Sequence, residues 1–252
     1  MVQGIRCGKP GIIRLKMTYC DIDPWLSEML GKPSYHVRSS FSQDISELDL
    51  PLAESFVDAR VDQWDTRTLM DLQAVGFRVM DCNVNLVRDA VSFSINPHKA
   101  QNIRFAVGRD HEKVRALALA SFRHNRFHRD PQIPSSAASR IKEIWASNFF
   151  NGKRGEWMVV AELVNGDIGG FLQLYLDDAK KLVVDLIAVS PSHKRLGLAS
   201  QMISFAWREC GNNISGMAVG TQLSNIESFQ LYQKLGFKLR EASYSLHLHV
   251  DH

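Results

Sequence analysis

A strand–loop–helix segment in the second half of the chain constrains the fold more than any other feature. Residues 182–189 are apolar apart from Asp185, which is typical of a strand buried in a sheet. A turn marked by Pro191 follows, and the next helix carries an apolar face that begins at Leu198. This order predicts an α/β protein with a ligand-binding loop at the carboxyl end of a central strand.

The loop itself has the residues of a phosphate-binding turn. Lys194 and Arg195 supply positive charge, and Gly197 and Ala199 let phosphate oxygens approach the backbone closely. The first N–H groups of the following helix have no partner within the helix, and the helix dipole favours an anion there. The loop therefore predicts a pyrophosphate site, although many turns of this kind are purely structural.

A second motif lies downstream of this loop. Residues 217–221 are predicted to form a strand, and Asn225 then opens a helix. The helix closes with the sequence Leu-Tyr-Gln-Lys-Leu-Gly-Phe over residues 231–237. Gly236 stands where the end of a helix favours a left-handed residue.

The two motifs together resemble those of the GCN5-related N-acetyltransferase (GNAT) family. The first matches the family's acetyl-CoA loop, Val-x-Pro-x-x-(Arg/Gln)-x-x-Gly-x-(Gly/Ala), with Lys194 standing where Arg or Gln is usual. The second is similar to the family's Asn followed by Leu-Tyr-x-Lys-x-Gly-Phe. The resemblance implies an α/β GNAT fold, a mixed central sheet flanked by helices. It also implies an acyltransferase that moves an acetyl group from acetyl-CoA to a primary amine.

The resemblance also implies roles for individual residues. The central strand and the loop would hold acetyl-CoA, with one strand N–H directed at the thioester oxygen. The expected acetyl-CoA residues are Ile187, Ala188, Val189, Lys194, Arg195, Leu196, Gly197, Leu198, Ala199 and Asn225. Tyr232 is expected to protonate the departing thiolate as the general acid, and its alternative role is that of a packing aromatic.

The general base is less constrained by the sequence. Asp81 follows the Gly76-Phe77 element in a strand-like context, and the family resemblance implies that an acidic residue in this place draws a proton from the amine through water. Asp185 on the central strand is the alternative, and surface carboxylates are the default interpretation of both. Cys82 as an acylated nucleophile is disfavoured because nothing near it in the sequence would activate the thiol.

The acceptor is expected to contact a loop at residues 122–130, which is dense in hydrogen-bond donors and aromatic rings. Arg126, His128 and Trp145 are the predicted substrate-binding residues, since arginine suits a diphosphate and aromatic rings suit a sugar. This region resembles GNAT enzymes that acetylate nucleotide sugars, so the expected acceptor is a dTDP-linked 4-amino-4,6-dideoxy sugar, acetylated directly in a ternary complex. The alternatives are another amine (a protein N-terminus or a small molecule), a non-catalytic acyl-CoA-binding module, and a merely solvated basic loop.

The first part of the chain contains a partial copy of the second motif. Residues 72–79 parallel residues 232–239, each with a helix that ends at Gly-Phe before a strand. We interpret residues 1–95 as a smaller N-terminal α/β domain, a degenerate half-GNAT, joined through a linker at 94–101 to a catalytic GNAT domain at 101–252. Leu72 replaces Tyr232 in this copy and no phosphate loop accompanies it, so no second CoA is expected; a chance match is the alternative.

Composition narrows the class of partner. With 30 basic and 27 acidic residues the formal net charge is +3, which is too balanced to favour nucleic acid or a membrane. Residues 1–16 lack the apolar core of a secretion signal, and no apolar run reaches the length of a membrane span. Four cysteines without a Cys-x-x-Cys pair predict a cytoplasmic protein with no metal. A small-molecule amine and, from the resemblance, a second copy in a homodimer are the expected partners.

Local signals also predict several elements around these motifs. Asp110 is predicted to cap a helix over residues 112–122, and residues 123–134 are predicted to be a loop. Asn165-Gly166 predicts a tight hairpin between two strands. Residues 237–250 alternate in polarity and predict one or two closing strands.

Overall fold

The computed structural model describes residues 19–38, 48, 50, 51, 53–90, 102–122, 125–210 and 214–251. The predicted linker at 94–101, the segment 1–16 and residues 123 and 124 of the predicted acceptor loop lie outside the described residues. The described strands are β1 (Cys20–Ile22), β2 (Ser34–Val37), β3 (Ser55–Asp62), β4 (Arg78–Asp89), β5 (Asn102–Phe105), β6 (Trp157–Glu162), β7 (Ile168–Leu176), β8 (Lys181–Val189), β9 (Gly216–Gln222) and β10 (Lys238–Val250). The described helices are α1 (Pro24–Leu30), α2 (Thr66–Ala74), α3 (His111–Ser121), α4 (Arg126–Arg129), α5 (Ser135–Phe150), α6 (Leu198–Cys210) and α7 (Ile226–Lys234).

One mixed sheet organises the described chain, in the order β1-β2-β3-β10-β4-β9-β8-β7-β6-β5. The pairs β2–β3 and β8–β9 are parallel and the others are antiparallel. Helices α2, α6 and α7 pack on one face, which we call the α6 face. Helices α1, α3, α4 and α5 pack on the other, which we call the α5 face. The fold is a mixed central sheet flanked by helices on both faces, as predicted.

The units β3–α2–β4 and β9–α7–β10 have the same local structure, 160 positions apart. Asp65 and Asn225 cap the two helices by accepting from the N–H three residues on. Gly76 and Gly236 follow the ends of the two helices with φ of 102° and 80°. A residue with a side chain would be strained in this backbone conformation. The second strand of each unit pairs with the first strand of the other unit, since β10 pairs with β3 and β4 pairs with β9. Division of the chain into domains 1–95 and 101–252 stays a prediction.

Strands β8 and β9 separate along their length, and this positions the site. Their pairing ends at Val184 and Val219, although β8 continues to Val189 beside β7. A β-bulge lies at this point, since Leu186 and Val184 oppose consecutive residues of β7 and Asp185 is the extra residue. The bulge places Leu186 on the α5 face together with Asp185, and the residues after it alternate from there. Beyond it, the β8 backbone is open on the side towards β9.

Two sequence expectations need correction and several are confirmed. Asp110 precedes α3 but its side chain makes no capping hydrogen bond to that helix. Its two carboxylate oxygens instead accept from Arg104 at 2.7 and 2.9 Å, and this bidentate ion pair competes with the N–H groups of α3 for the same oxygens. The predicted loop at 123–134 contains α4, because the Asn125 side chain accepts from the N–H groups of Phe127 and His128. The hairpin at Asn165-Gly166 is confirmed, and the closing segment is a single strand.

Candidate active site

The opening between β8 and β9 is bordered by backbone that β9 does not use. Ile187, Ala188 and Val189 lie in this part of β8, where pairing with β7 continues on the other side. Ile187 and Val189 are half-buried and pack against the core of the α6 face. Unpaired strand groups on a rigid sheet are suited to bind an extended ligand as an additional strand would bind.

The loop after β8 presents backbone N–H groups at the start of α6. Arg195 and Gly197 have φ of 64° and 79°, and left-handed residues within such a turn form concave N–H arrangements that suit anions. The first helical hydrogen bond runs from Gln201 N–H to the Gly197 carbonyl at 3.0 Å, so the N–H groups before Gln201 are not used by the helix. The buried Leu198 side chain anchors the loop to the core. The predicted loop residues therefore lie together, and Arg195 and Leu196 are exposed.

Lys194 makes a contact that the sequence did not indicate. Its Nζ lies 2.8 Å from Oε2 of Glu227 in the first turn of α7, so an exposed ion pair links the loop to that helix. Asn225 is the N-cap of α7, and its Oδ1 accepts from Ser228 N–H at 3.3 Å. Lys194 thus contacts the helix that Asn225 caps, next to the opening between β8 and β9.

Tyr232 lies in the last turn of α7 and is buried, with 2% of its surface exposed. Its ring meets Phe237 edge to face with centroids 5.5 Å apart. Burial raises the pKa of the phenol, so the hydroxyl stays protonated at ordinary pH. The core cluster that contains Tyr232 also contains Val219, the last β9 residue paired with β8.

Asp81 lies on β4, on the α5 face, and is buried. Its Oδ1 accepts from Cys82 N–H at 2.9 Å and lies 3.4 Å from Arg129 Nη1 and 3.5 Å from Ser224 Oγ. Its Oδ2 is buried without a hydrogen-bond partner among the described residues. Burial raises the pKa of this carboxyl, against the opposing effects of Cys82 N–H, Arg129 and Ser224. A raised pKa and an unused oxygen suit a proton acceptor.

Asp185, the alternative base, is already held by three side chains. It accepts from Trp145 Nε1 at 2.9 Å, from Gln173 Nε2 at 2.9 Å and from Arg154 through two bonds of 2.8 Å. This is the arrangement of a structural anion rather than of a base. Cys82 is half-buried, and burial followed by the charge of Asp81 raises the pKa of its thiol, which disfavours the thiolate.

The three predicted acceptor residues lie on the α5 face, and each is engaged by the protein. Arg126 pairs with the buried Asp58. His128 Nε2 lies 3.0 Å from Ser139 Oγ. The Trp145 ring lies under Lys142 Nζ at 3.9 Å and the Arg154 guanidinium at 4.2 Å from its centroid.

Two residues of importance to this region have little signal in the sequence. Ser224 reaches Asp81 although 143 positions separate them, and its position just before Asn225 is the one local hint. Asp130 accepts from His247 at 2.7 Å and His249 at 2.8 Å, which links the end of α4 to β10. The sequence does indicate that His247 and His249 share one face of a strand, because they are two residues apart, but it does not indicate Asp130 as their partner.

Two features of the described residues bear on the expected partners. None of the helices in the described part of the chain has the length and apolar character that a bilayer crossing requires. The described His, Cys, Asp and Glu residues form no group of three or more arranged to hold a metal ion.

The family model described as "Acetyltransferase (GNAT) family" matches residues 112–237. The crystal structure of a GCN5-related N-acetyltransferase from Sphaerobacter thermophilus has a TM-score of 0.60 at 13% identity, over 92% of this chain and 78% of that one.

Two curated relatives also match. The dTDP-fucosamine acetyltransferase of Escherichia coli O6:H1 is 23% identical over 223 residues, which cover 88% of this chain and 95% of that protein. The spore coat polysaccharide biosynthesis protein SpsD of Bacillus subtilis is 30% identical over 141 residues, 55% of this chain. That match spans about half the length of the spore coat protein, 47%.

Proposed function

This chain belongs to the acetyltransferase (GNAT) family, and from that membership we propose that it acetylates the amino group of a dTDP-linked 4-amino-4,6-dideoxy sugar. Acetyl-CoA, the acetyl donor of GNAT acetyltransferases, supplies the activated thioester. The relative named dTDP-fucosamine acetyltransferase, aligned over 88% of this chain, supports this choice of acceptor.

The residues around the β8–β9 opening fit acetyl-CoA. In the proposal, the open backbone of Ile187, Ala188 and Val189 binds the pantetheine arm. The N–H groups of the loop at 194–199 bind the pyrophosphate at the start of α6. Lys194 and Arg195 add charge there, and Asn225 borders the pantetheine from the other side. An unpaired strand edge next to a left-handed loop supports this assignment.

The transfer itself requires a base and an acid. Asp81 accepts a proton from the acceptor ammonium through water, which frees the amine lone pair to attack the thioester carbonyl. A β8 N–H beyond the bulge donates to the carbonyl oxygen as negative charge develops. As the C–N bond forms and the C–S bond breaks, Tyr232 donates its phenolic proton to the thiolate. Transfer is direct, and Cys82 forms no acyl intermediate.

One observation carries the proposal. Asp81 contacts Ser224, the residue before the N-cap of α7, and α7 carries Tyr232. The proposed base therefore contacts the β9–α7 segment and the proposed acid belongs to it, and this segment forms one wall of the opening. Burial raises the pKa of both groups, which suits Asp81 to accept a proton and keeps the Tyr232 phenol protonated.

A thiol-release assay tests the proposal. Acetyl-CoA is presented with dTDP- and UDP-linked amino sugars, polyamines and peptides with free N-termini. Turnover confined to a 4-amino-4,6-dideoxy nucleotide sugar is the expected result. Turnover with peptides or polyamines alone would overturn the acceptor and keep the acetyltransferase. CoA binding without thiol release from any acceptor would favour a binding module.

The proposal extends to the setting in which the protein works. The described cysteines Cys20, Cys82 and Cys210 are not disulfide-bonded, which supports a cytoplasmic location. A homodimer remains part of the proposal, and light scattering at several protein concentrations tests it.

A further inference from the structure

A cluster of cations lies on the α5 face between α4, α5 and β3. Arg60 comes from β3, Arg126 from α4, Lys142 from α5 and Arg154 from the turn after α5. The charges of Arg126, Arg154 and Arg60 all act on Lys142, and that of Arg126 acts on Arg60. Four positive groups from separate elements therefore share one region of the sheet.

The carboxylates in this region neutralise half of that charge. Asp58 pairs with Arg126 and also lies 2.6 Å from His36 Nδ1. Asp185 pairs with Arg154 at 2.8 Å. Arg60 and Lys142 have no ion pair or hydrogen bond with any described residue, and Lys142 rests against the ring of Trp145 at 3.9 Å. The cluster thus contains more cationic than anionic side chains, and Asp58 and Asp185 act on Arg60 and Lys142 without an ion pair or hydrogen bond to either.

Lys142 is held in a site that disfavours its own charge. Burial is the main cause that lowers its pKa, to about 7, and the neighbouring cations add to it while Asp185 opposes. A lysine that needed only to pack could keep its ammonium in water. Burial also lowers the pKa of Arg60, but part of the Arg60 surface is exposed, so a ligand can reach the cluster from solvent.

The cluster lies beside the proposed transfer site. Ser245 of β10 faces Arg60 on one side and Asp81 on the other, so these residues form one row across three strands. Two strand spacings separate the Cα atoms of Arg60 and Asp81 by about 10 Å. A pyranose ring with its amine at one end and its phosphate ester at the other spans such a gap.

From these observations we infer that Arg60 and Lys142 bind the diphosphate of the acceptor and hold the sugar amine towards Asp81. The inference rests on the proposed function and adds the residues that select an anionic acceptor. The diphosphate bridge of a nucleotide sugar carries two negative charges, which complement the charges of Arg60 and of protonated Lys142. Arg126, one of the substrate-binding residues predicted from the sequence, pairs with Asp58, and Arg154 pairs with Asp185. In this inference both therefore position the cluster and do not contact the ligand.

The phosphates of acetyl-CoA are the other source of this chemistry. The loop proposed to hold them leads into α6, which packs on the opposite face of the sheet. The variants Arg60→Gln and Lys142→Gln distinguish the two sources. Each is expected to raise KM for the nucleotide sugar about 10- to 100-fold, with KM for acetyl-CoA unchanged and kcat altered less. Arg67→Gln, on α2 of the α6 face, removes an exposed cation as the matched control.

Binding of dTDP to the full chain without acetyl-CoA provides a readout independent of turnover. Calorimetry is expected to show dTDP binding that both cluster variants weaken and that acetyl-CoA does not displace. Displacement of dTDP by acetyl-CoA, or weaker acetyl-CoA binding in the variants, would assign the cluster to CoA and overturn the inference. So would unchanged KM and unchanged dTDP binding in both variants.

The same measurements separate this inference from the proposed function. If no amino sugar is acetylated but dTDP binds and depends on Lys142, the anion site stands and the acceptor proposal fails. If the amino sugar is acetylated with normal KM by both variants, the acceptor proposal stands and this inference fails. Circular dichroism of each variant confirms that it is folded before either result is read.

Discussion

Asn83 and Ser243 face each other across β4 and β10, and each is the counterpart of the other in the internal repeat. Residue 243 lies 160 positions after residue 83, the same offset that relates Tyr232 to Leu72. The outer pairs follow the same rule, since Ser243 opposes Asp62 and Asn83 opposes Gln222. The two units are therefore related by a pseudo-two-fold axis through this pair, as two subunits are in a symmetric dimer. The β9–α7–β10 unit contains Tyr232, and the β3–α2–β4 unit contains Asp81.

Replacement of Tyr232 by Phe tests the proposed acid. The change removes one hydroxyl from a buried ring and keeps its packing against Phe237. We expect kcat to fall about 10²- to 10³-fold, because the thiolate must leave without a proton donor, while KM for acetyl-CoA stays near normal. Tyr244→Phe, on β10, is the matched control and should leave turnover unchanged. Normal turnover by Tyr232→Phe would show that another group protonates the thiolate.

The pH dependence of turnover tests Asp81. Because burial raises its pKa, activity should fall as pH decreases through that raised value, where the carboxylate becomes protonated. Arg129 opposes this shift, so Arg129→Gln should move the acid limb of the kcat/KM profile to higher pH. Asp81→Asn should remove the limb and lower kcat about 10²-fold. An acid limb that stays in place in both variants would exclude Asp81; Arg109→Gln, a distant exposed arginine, is the control.

Direct transfer predicts that Cys82 is dispensable. Its pKa is raised by burial and by the charge of Asp81, so the reactive thiolate is scarce. Cys82→Ala should retain kcat within about threefold, and rapid mixing should show no burst of CoA before the first turnover. A burst that Cys82→Ala abolishes would indicate an acyl-enzyme and contradict direct transfer.

The buried contact between Asp130 and the two histidines should be a main determinant of acid stability. Burial alone would raise the pKa of Asp130, but hydrogen bonds from His247 and His249 outweigh it and hold the pKa well below 3.8. A depressed pKa stabilises the fold above about pH 4 and loses that effect as pH falls lower. Asp130→Asn should cost about 3 kcal/mol at neutral pH, measured by urea unfolding. The difference from the unmodified protein should shrink below pH 4, and exposed Asp178→Asn should change little.

The inferred diphosphate site predicts a pH-dependent affinity for dTDP. With its pKa lowered to about 7 by burial and then by Arg126, Arg154 and Arg60, Lys142 loses its charge as pH rises above that value. Affinity for dTDP should therefore decrease between neutral and alkaline pH, and calorimetry in buffers of different ionisation enthalpy should detect proton uptake. Lys142→Gln should bind weakly at every pH and remove the dependence. Equal pH dependence in this variant would place the titrating group elsewhere.

Local sequence signals were sufficient for the elements that carry the acetyl-CoA motifs. Asn225 opens α7 and Gly236 ends it at the predicted positions, because capping and left-handed geometry depend on neighbouring residues alone. The loop at 194–199 is similarly local. These features were predictable because the chemistry that fixes them lies within a few residues.

Contacts between distant parts of the chain were not predictable in the same way. The sequence predicts Asp110 as the cap of α3, but its carboxylate pairs with Arg104, which is six positions away on another element. The bulge at Asp185 reversed the face that simple alternation assigns to the residues after it. The Asp81–Ser224 contact and the cluster around Lys142 depend on the order of strands in the sheet. No local pattern in β4 or α5 encodes that order.

The central place of β10 determines when the molecule can fold during synthesis. Residues 238–250 come after every other described strand in chain order, yet they join β3 to β4. Until the ribosome has released them, β1–β3 cannot attach to the rest of the sheet, so the long-range pairing forms late and folding is slow. A nascent chain that stops before residue 238 exposes the edges of β3 and β4, which would favour aggregation and capture by chaperones.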